Sequence, residues 1–451
     1  MYSDQKYLGY QDDDRMLKKG IWLYLLLLIF EGALRKWFLP GLSTPLLIIR
    51  DPLAMWLIYK VWSAGRMPSS KLLTTMVILA LLAVFTAIVF GHGNFFVAMF
   101  GARIFLIHFP MIFLIGHILD REDVIAMGRT MLWITIPMTM LIILQFYSPQ
   151  SSFINVGVGG NSAGSGFSGA LGYFRPSGTF SFTNGTYLFF GLSASYIFYF
   201  WFNPGQVNRL LLYAATVALL VSIPFSISRS LAFQVAVSMI FALFAVARRP
   251  ENLFRVLIGS VVIAIVVIIL LNLDFLKNSI DAFTARFTTA NTLEGGLTGT
   301  IGDRYFGRML IAITTALDQP FFGYGMGMGT NVGSALLTGS RKFLIAEEEW
   351  NRQIGELGAF MGIVVIAIRM GLSLKMTLFS YYELRVGNLL PWMLLGFALT
   401  NIPKGQWSQP TSLGFSVMVG GLLIAGMKRA RVEDTDEEDD EPEENLESNG
   451  R

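Results

Sequence analysis

The sequence predicts an all-α, polytopic integral membrane protein with about twelve transmembrane helices and a large external loop between the ninth and the tenth. Three observations predict this class. Of the 451 residues, 53% are hydrophobic and only 14% are charged, whereas about a quarter of a soluble domain is charged. Apolar segments of about 20 residues, the length that crosses a bilayer, recur along the chain. Lysine and arginine collect in alternate connections, as the positive-inside rule requires.

The predicted transmembrane segments follow from the apolar runs, and basic residues orient them. Lys18 and Lys19 precede the first segment, "ARRPENLFR" joins the eighth to the ninth, and "KRAR" follows the twelfth. These groups all lie on one side if there are twelve spans, so both termini are predicted to be cytoplasmic. Arg35 and Lys36 lie at the other end of the first segment and depart from this pattern. The segments are approximately 19–39, 45–62, 71–90, 95–118, 122–147, 185–202, 208–226, 230–247, 254–272, 356–380, 388–402 and 411–427.

The regions between these segments complete the predicted organisation. A cytoplasmic N-terminus (1–18) leads into helices 1 to 9 (19–272), which include a Gly/Ser-rich external loop (148–184). A large external loop (273–355) precedes helices 10 to 12 (356–427), and such long loops are usually functional. The chain ends in a cytoplasmic segment (428–451) whose last 19 residues hold 11 Asp/Glu and one Arg. That composition predicts a disordered, solvated tail.

Composition also restricts the chemistry. The chain has no cysteine, which excludes disulfides, thiol catalysis and Cys-ligated metals. It has three histidines, so we predict neither a metal site nor a cofactor. Without the acidic tail, 33 basic and 20 acidic residues remain. This balance suits anionic lipid headgroups and anionic substrates, and we predict no nucleic-acid partner.

Arginine residues next to Gly, Ser and Thr are the first candidate site residues. Arg229 lies in a tight external turn between two apolar helices, with hydroxyls on both sides at Ser228 and Ser230. A charged side chain so close to the hydrocarbon region needs a partner, and guanidinium donors match phosphate oxygens. The functional interpretation is a clamp for a diphosphate at the outer face of the membrane. The alternative is that each arginine extends to interfacial water and headgroups. The other candidates for the clamp are Arg175, Arg304, Arg308 and Arg352.

The stretch "EEEWNRQIGELG" supplies the second candidate group. Glu347, Glu348 and Glu349 are a solvated first turn in the simpler interpretation, since carboxylates favour helix N-termini. In the other interpretation, apolar surroundings raise the pKa of one of them, and it acts as a general base on a sugar hydroxyl. Glu356 is expected to form a structural ion pair with Arg352, four residues earlier.

Two further pairs are expected near the N-terminus. Glu31 is predicted to pair with Arg35 at i, i+4, and Asp51 with its neighbour Arg50. His108 and His117 are interpreted as packing residues.

Several short motifs together resemble the O-antigen ligase and polymerase superfamily. They are "RPSGTFSFTNG" (with Asn184), "SISRS", "DRYFGRMLIAITTALDQPFFGYGMGMGT" and "GELGAFMG". The resemblance covers most of the membrane core and rests on the order and sidedness of these motifs. It implies a metal-independent, GT-C-like glycosyltransferase of the bacterial inner membrane that uses a polyprenyl-diphosphate-linked oligosaccharide. Membrane lipids and a chain-length regulator or other polysaccharide-assembly protein are the implied partners.

One departure from the family pattern favours a polymerase. Ligase-type members carry His-Asn about nine residues before the Glu of the last motif, where this chain has Glu347 and Glu348. We therefore expect a polymerase of lipid-linked repeat units. The alternatives are a ligase that transfers glycan to a lipid or protein acceptor and, in another class, a glycan transporter or flippase.

Overall fold

A computed structural model describes residues 2–248, 268, 272–294, 307–340 and 342–428. The chain is mostly helical, with 76% helix and 2% strand, which confirms the all-α class. Among the described residues, six helical stretches are long and apolar enough to cross a membrane, namely Lys71–Val89, Phe95–Ile118, Arg121–Tyr147, Arg209–Ser226, Arg229–Arg248 and Glu349–Val386. Each overlaps a predicted segment. The ninth predicted segment (254–272) falls almost wholly outside the described residues, and so does the acidic tail.

The described helices are numbered here in chain order. They are α1 (Tyr2–Ala33), α2 (Arg50–Ser63), α3 (Lys71–Val89), α4 (Phe95–Arg103), α5 (Phe109–Ile118), α6 (Arg121–Tyr147), α7 (Thr183–Phe202), α8 (Arg209–Ser226), α9 (Arg229–Arg248), α10 (Asp274–Glu294), α11 (Arg308–Thr314), α12 (Asn331–Thr338), α13 (Glu349–Val386), α14 (Leu389–Asn401) and α15 (Pro410–Gly426). Two short strands, β1 (Phe167–Ser168) and β2 (Phe174–Arg175), pair antiparallel. π-helical turns at Leu34–Phe38 and Ile104–His108 extend α1 and join α4 to α5.

The centre of the bundle is the pair α5 and α15, in which nearly every side chain is buried. Small residues allow the two helices to approach closely. A methyl group on Gly421 would lie 2.5 Å from Cβ of Ile115, and one on Gly116 would lie 2.6 Å from Cβ of Ile424. Close approach at glycine is the usual means of packing helices in membranes, where lipid competes with apolar side chains.

The end of α1 holds the 148–184 loop in place. Lys36 is buried and donates to the hydroxyl of Ser177 (3.0 Å) and the carbonyl of Gly178 (2.6 Å). Gly32 lies directly against the loop backbone, because a methyl group there would be 2.5 Å from the carbonyl oxygen of Thr179. The "RPSGTF" motif is therefore fixed to the first helix at several points.

The predicted ion pair of Glu31 and Arg35 is confirmed, with both residues buried and 3.2 Å apart. The predicted pair of Asp51 and Arg50 is wrong. Arg50 instead pairs with Glu31 (3.4 Å), and Asp51 pairs with Arg103 (2.7 Å) from α4.

His108 is more than a packing residue. Its Nε2 lies 2.9 Å from a carboxylate oxygen of Asp51, and its Nδ1 lies 3.0 Å from the hydroxyl of Tyr24. These residues and Arg103 form one polar chain within the apolar interior.

The helix α13 contains a sharp bend at Gly358, where φ is 79° and ψ is 170°. The two arms pack on each other, since a methyl group on Gly362 would lie 2.7 Å from Cα of Ile354. The tenth predicted segment began at residue 356. The helix in fact begins at Glu349, and its first arm folds back against the second.

Candidate functional site

The β1–β2 hairpin is positioned by an aromatic cluster. Tyr173 stacks on Phe146 at the end of α6, with ring centres 4.5 Å apart. Phe146 meets Phe225 of α8 edge to face at 5.2 Å, and Phe225 contacts Phe275 of α10 at 5.4 Å. The cluster brings together the hairpin and the ends of three helices. Arg175 follows two residues after Tyr173 and is carried to the same place.

Three arginines lie near enough to one another to interact electrostatically. They are Arg175 on β2, Arg229 at the start of α9, and Arg286 on α10, here called the arginine cluster. Burial lowers the pKa of Arg175, and the nearby positive charges of Arg286 and Arg229 lower it further. The Nε–H group of Arg175 is buried without an acceptor in the part of the chain that the structure describes. Like charges held close together favour the binding of a multivalent anion.

The turn that carries Arg229 is as tight as predicted. Helix α8 ends at Ser226 and α9 begins at Arg229. Ile227 between them adopts a left-handed conformation with φ 45°, which is costly for a β-branched residue. Ser228 is buried, and its hydroxyl accepts from the backbone N–H of Leu231. Ser230 is exposed. Of the two flanking hydroxyls, that of Ser228 therefore caps the helix, and that of Ser230 faces outward.

Glu349 and Arg352 belong to a buried ion cluster with Glu356 and Arg369. Arg352 lies 2.9 Å from Glu349 and 2.6 Å from Glu356, and Arg369 lies 2.8 Å from Glu349. The exposed fraction of each of the four residues is 2% or less. Two carboxylates balance two guanidinium groups, so the cluster is neutral. The ion pair expected between Glu356 and Arg352 is confirmed.

This arrangement speaks against two of the candidate roles. The guanidinium of Arg352 already holds two carboxylates and cannot bind a diphosphate without losing one. The carboxylate of Glu349 is buried between two arginines, which stabilise its charged form and keep it from substrate. Glu348 is half-buried at the N-cap of α13, and Glu347 is exposed. They are the accessible carboxylates of "EEEW".

The glycine-rich stretch "GYGMGMG" wraps the bend of α13. The backbone N–H groups of Tyr324 and Gly325 donate to the carbonyls of Gly355 (2.8 Å) and Glu356 (3.0 Å), which the bend leaves without helical partners. The N–H of Gly329 donates to the carboxylate of Glu356 at 2.7 Å. The loop therefore acts structurally, by satisfying the polar groups of a broken helix.

A polar strip links two of the sequence motifs. The amide of Asn184 donates to Gln409, that of Gln409 donates to Gln406 (2.7 Å), and that of Gln406 donates to the carbonyl of Glu347 (3.0 Å). Gln406 and Gln409 lie in "GQWSQP", between α14 and α15. The strip is partly exposed along its length. It connects the segment after the hairpin to the accessible carboxylates.

A cavity of about 340 Å³ lies between α11 and the start of α13. Its polar lining residues include Thr315, Gln319, Tyr324 and Asn351. All of its described lining residues are uncharged. This chemistry suits a neutral polar group rather than a phosphate.

Two predicted residues cannot be placed in the site. Arg304 lies outside the described residues. Arg308 begins α11, but its side chain is not among those described. Helix α11 ends at Thr314 and is followed by a single 3₁₀ turn at Ala316–Asp318.

Sequence reasoning missed Arg286, Arg369, Gln406 and Gln409. Arg286 could have been noticed as a basic residue on an amphipathic helix of the external loop. Arg369 stands alone in an apolar run, where a charged residue needs a partner. The two glutamines carry no comparable signal.

The site as a whole therefore has a group of arginines that could bind an anionic ligand. A polar strip leads from Asn184 to the accessible carboxylates of Glu347 and Glu348. No protein-family model matches this chain, and no curated protein matches it.

Proposed function

We propose that this protein is a polymerase of lipid-linked polysaccharide repeat units. It would transfer a glycan from polyprenyl diphosphate to a sugar hydroxyl of the next repeat unit. In this proposal the chain has twelve spans, sits in the bacterial inner membrane with both termini in the cytoplasm, and works at the outer face. The observation that carries the proposal is the convergence of Arg175, Arg229 and Arg286.

The chemistry requires stabilisation of the leaving group. As the glycosidic bond breaks, negative charge grows on the diphosphate, and donors already aimed at it lower the barrier. The arginine cluster supplies these donors. Glu347 or Glu348 would accept the proton of the attacking hydroxyl. Polar groups between the arginine cluster and these carboxylates would be oriented by Asn184, Gln409 and Gln406.

The test uses purified protein in lipid nanodiscs with a defined polyprenyl-diphosphate-linked repeat, and products are separated by gel. Arg229→Ala and Arg286→Ala are each expected to lower turnover 30- to 1000-fold, which corresponds to about 2–4 kcal/mol by analogy with a lost oxyanion donor. Arg209→Ala is the matched control, because Arg209 is exposed at the opposite end of α8. Unchanged turnover in both variants would refute the proposal that the arginine cluster binds the diphosphate.

The base is tested separately with the double variant Glu347→Gln/Glu348→Gln. Glu349 is left intact because its loss would disturb the buried ion cluster. A large fall in turnover with unchanged binding of the donor is expected. If turnover is retained, another group accepts the proton or none is needed.

A transporter is the second candidate, and the buried chain of Tyr24, His108, Asp51 and Arg103 favours it. Chains of titratable groups inside membrane segments recur in pumps and transporters. The location of the accumulated lipid-linked unit separates the two functions. A cell that lacks a polymerase accumulates single units outside, and one that lacks a transporter accumulates them inside. A ligase would instead be recognised by a lipid or protein acceptor in its product.

A further inference from the structure

The short helix α11 and the 3₁₀ turn that follows it have two unlike faces. Ala312 and Ala316 are buried against the first arm of α13. Leu310, Ile313 and Leu317 fall at i, i+3 and i+7, so they share the opposite face. All three are exposed, and Leu317 is 87% exposed. An apolar stripe of this kind on a chain surface marks a contact with another molecule or with a membrane.

The stripe continues onto a transmembrane helix. Phe321 is 68% exposed and meets Phe322 edge to face at 4.9 Å. Phe322 stacks on Phe90 with ring centres 4.5 Å apart. Phe90 directly follows α3, a helix long and apolar enough to cross a membrane. Phe321, four residues after Leu317, is thus joined by two ring contacts to the end of a membrane span.

The same end of the bundle carries further exposed aromatic side chains. Phe95 and Phe96 begin α4 after a short connection from α3, and both are exposed. Along α3 itself, Leu81 and Phe85 are exposed as well, as expected of a lipid-facing helix. Large apolar side chains gathered where spans end are typical of the membrane interface, where they contact the outer acyl chains.

We propose that the face formed by Leu310, Ile313, Leu317 and Phe321 is seated in the lipid bilayer. Helix α11 would then lie at the membrane surface, within the segment that was predicted to be a large external loop. Its other face closes the cavity, so the outer wall of the cavity would be a membrane-seated helix. This inference does not depend on the proposed function.

The chain contains no cysteine, so single spin labels can be placed without altering other positions. Leu317→Cys and Phe321→Cys are labelled in nanodiscs that hold one chain each, and collision with oxygen and with a water-soluble nickel chelate is measured. Phe85→Cys is the lipid control, and Lys342→Cys, exposed in a loop, is the water control. Labels at 317 and 321 are expected to resemble Phe85, with collision with oxygen favoured at least about threefold over nickel relative to the label at Lys342.

Two results would overturn the proposal. Labels at 317 and 321 that collide with nickel as readily as the label at Lys342 would place α11 in water. Labels shielded from both reagents would show that protein covers this face. The two positions are both largely exposed, so neither substitution removes a core contact, and one label suffices if the other variant is not recovered.

Discussion

The bend at Gly358 is stabilised by contact with a neighbouring loop, and a substitution there tests this contact. A methyl group at this position would lie 2.6 Å from the carbonyl carbon of Phe321 and 2.8 Å from the nitrogen of Gly323. Its backbone conformation, φ 79° and ψ 170°, is almost confined to glycine and costs other residues about 1–3 kcal/mol. The steric overlap would also push away the loop that donates to Gly355 and Glu356. Two lost backbone hydrogen bonds add about 1–3 kcal/mol.

Gly358→Ala is therefore expected to lower the free energy of unfolding by about 2–6 kcal/mol, the sum of the two contributions. Gly339→Ala is the matched control, since Gly339 also has positive φ (72°) but a methyl group added there would meet no atom within 4 Å. That control should cost about 1–2 kcal/mol from backbone strain alone. Unfolding is followed by circular dichroism as SDS is titrated into mild detergent micelles. Equal losses for the two variants would refute the argument that loop contact at the bend is what requires glycine.

Three further predictions concern ion pairs, loop docking and cofactor independence. Glu349→Gln leaves two buried arginines short of charge and should cost about 3–5 kcal/mol in the same unfolding assay, whereas Glu122→Gln at an exposed position should change little; a small loss at 349 would contradict the neutralising role. Gly32→Ala should release the 148–184 loop and speed its cleavage by protease, because the added methyl group meets backbone atoms. Gly20→Ala, on the same helix, meets only side chains that can move, and equal cleavage of the two variants would count against docking through Gly32. Under the proposed mechanism, EDTA should leave glycan polymerisation unchanged, and a chelator-sensitive reaction would refute a clamp made of arginines alone.

Local sequence spacing predicted those parts of the fold that depend on neighbours in the chain. The pair of Glu31 and Arg35 lies one helical turn apart, so the spacing alone brings the groups together. Apolar length predicted the six stretches that can span a membrane for the same reason. The partner of Asp51 lies 52 residues away at Arg103, and no local pattern identifies it.

The break in α13 shows a second limit of sequence reasoning. The run after Glu349 is apolar and helical in pattern, and Gly358 is one of several glycines in it. What selects this glycine is contact with the loop at Phe321–Gly325, which lies more than 30 residues earlier. The bend then lets Arg369 reach Glu349, 20 residues away in the chain. A straight helix would separate them by about 30 Å.

The charged residues of this apolar chain fall into two kinds, and the difference bears on function. In the buried ion cluster, Glu349 and Glu356 balance Arg352 and Arg369, so an incoming anion would have to displace a carboxylate and leave it unpaired at low dielectric. That exchange costs several kcal/mol and gains no net attraction. In the arginine cluster, the pKa of Arg175 is lowered by burial and by two neighbouring positive charges, so a diphosphate would relieve repulsion that is already present. Local sequence does not divide the two groups, since Arg352 and Arg229 both lie at the start of long helices that run into apolar segments. What separates the two groups is the charge that the fold places around each arginine, namely two carboxylates around Arg352 and two further arginines near Arg175.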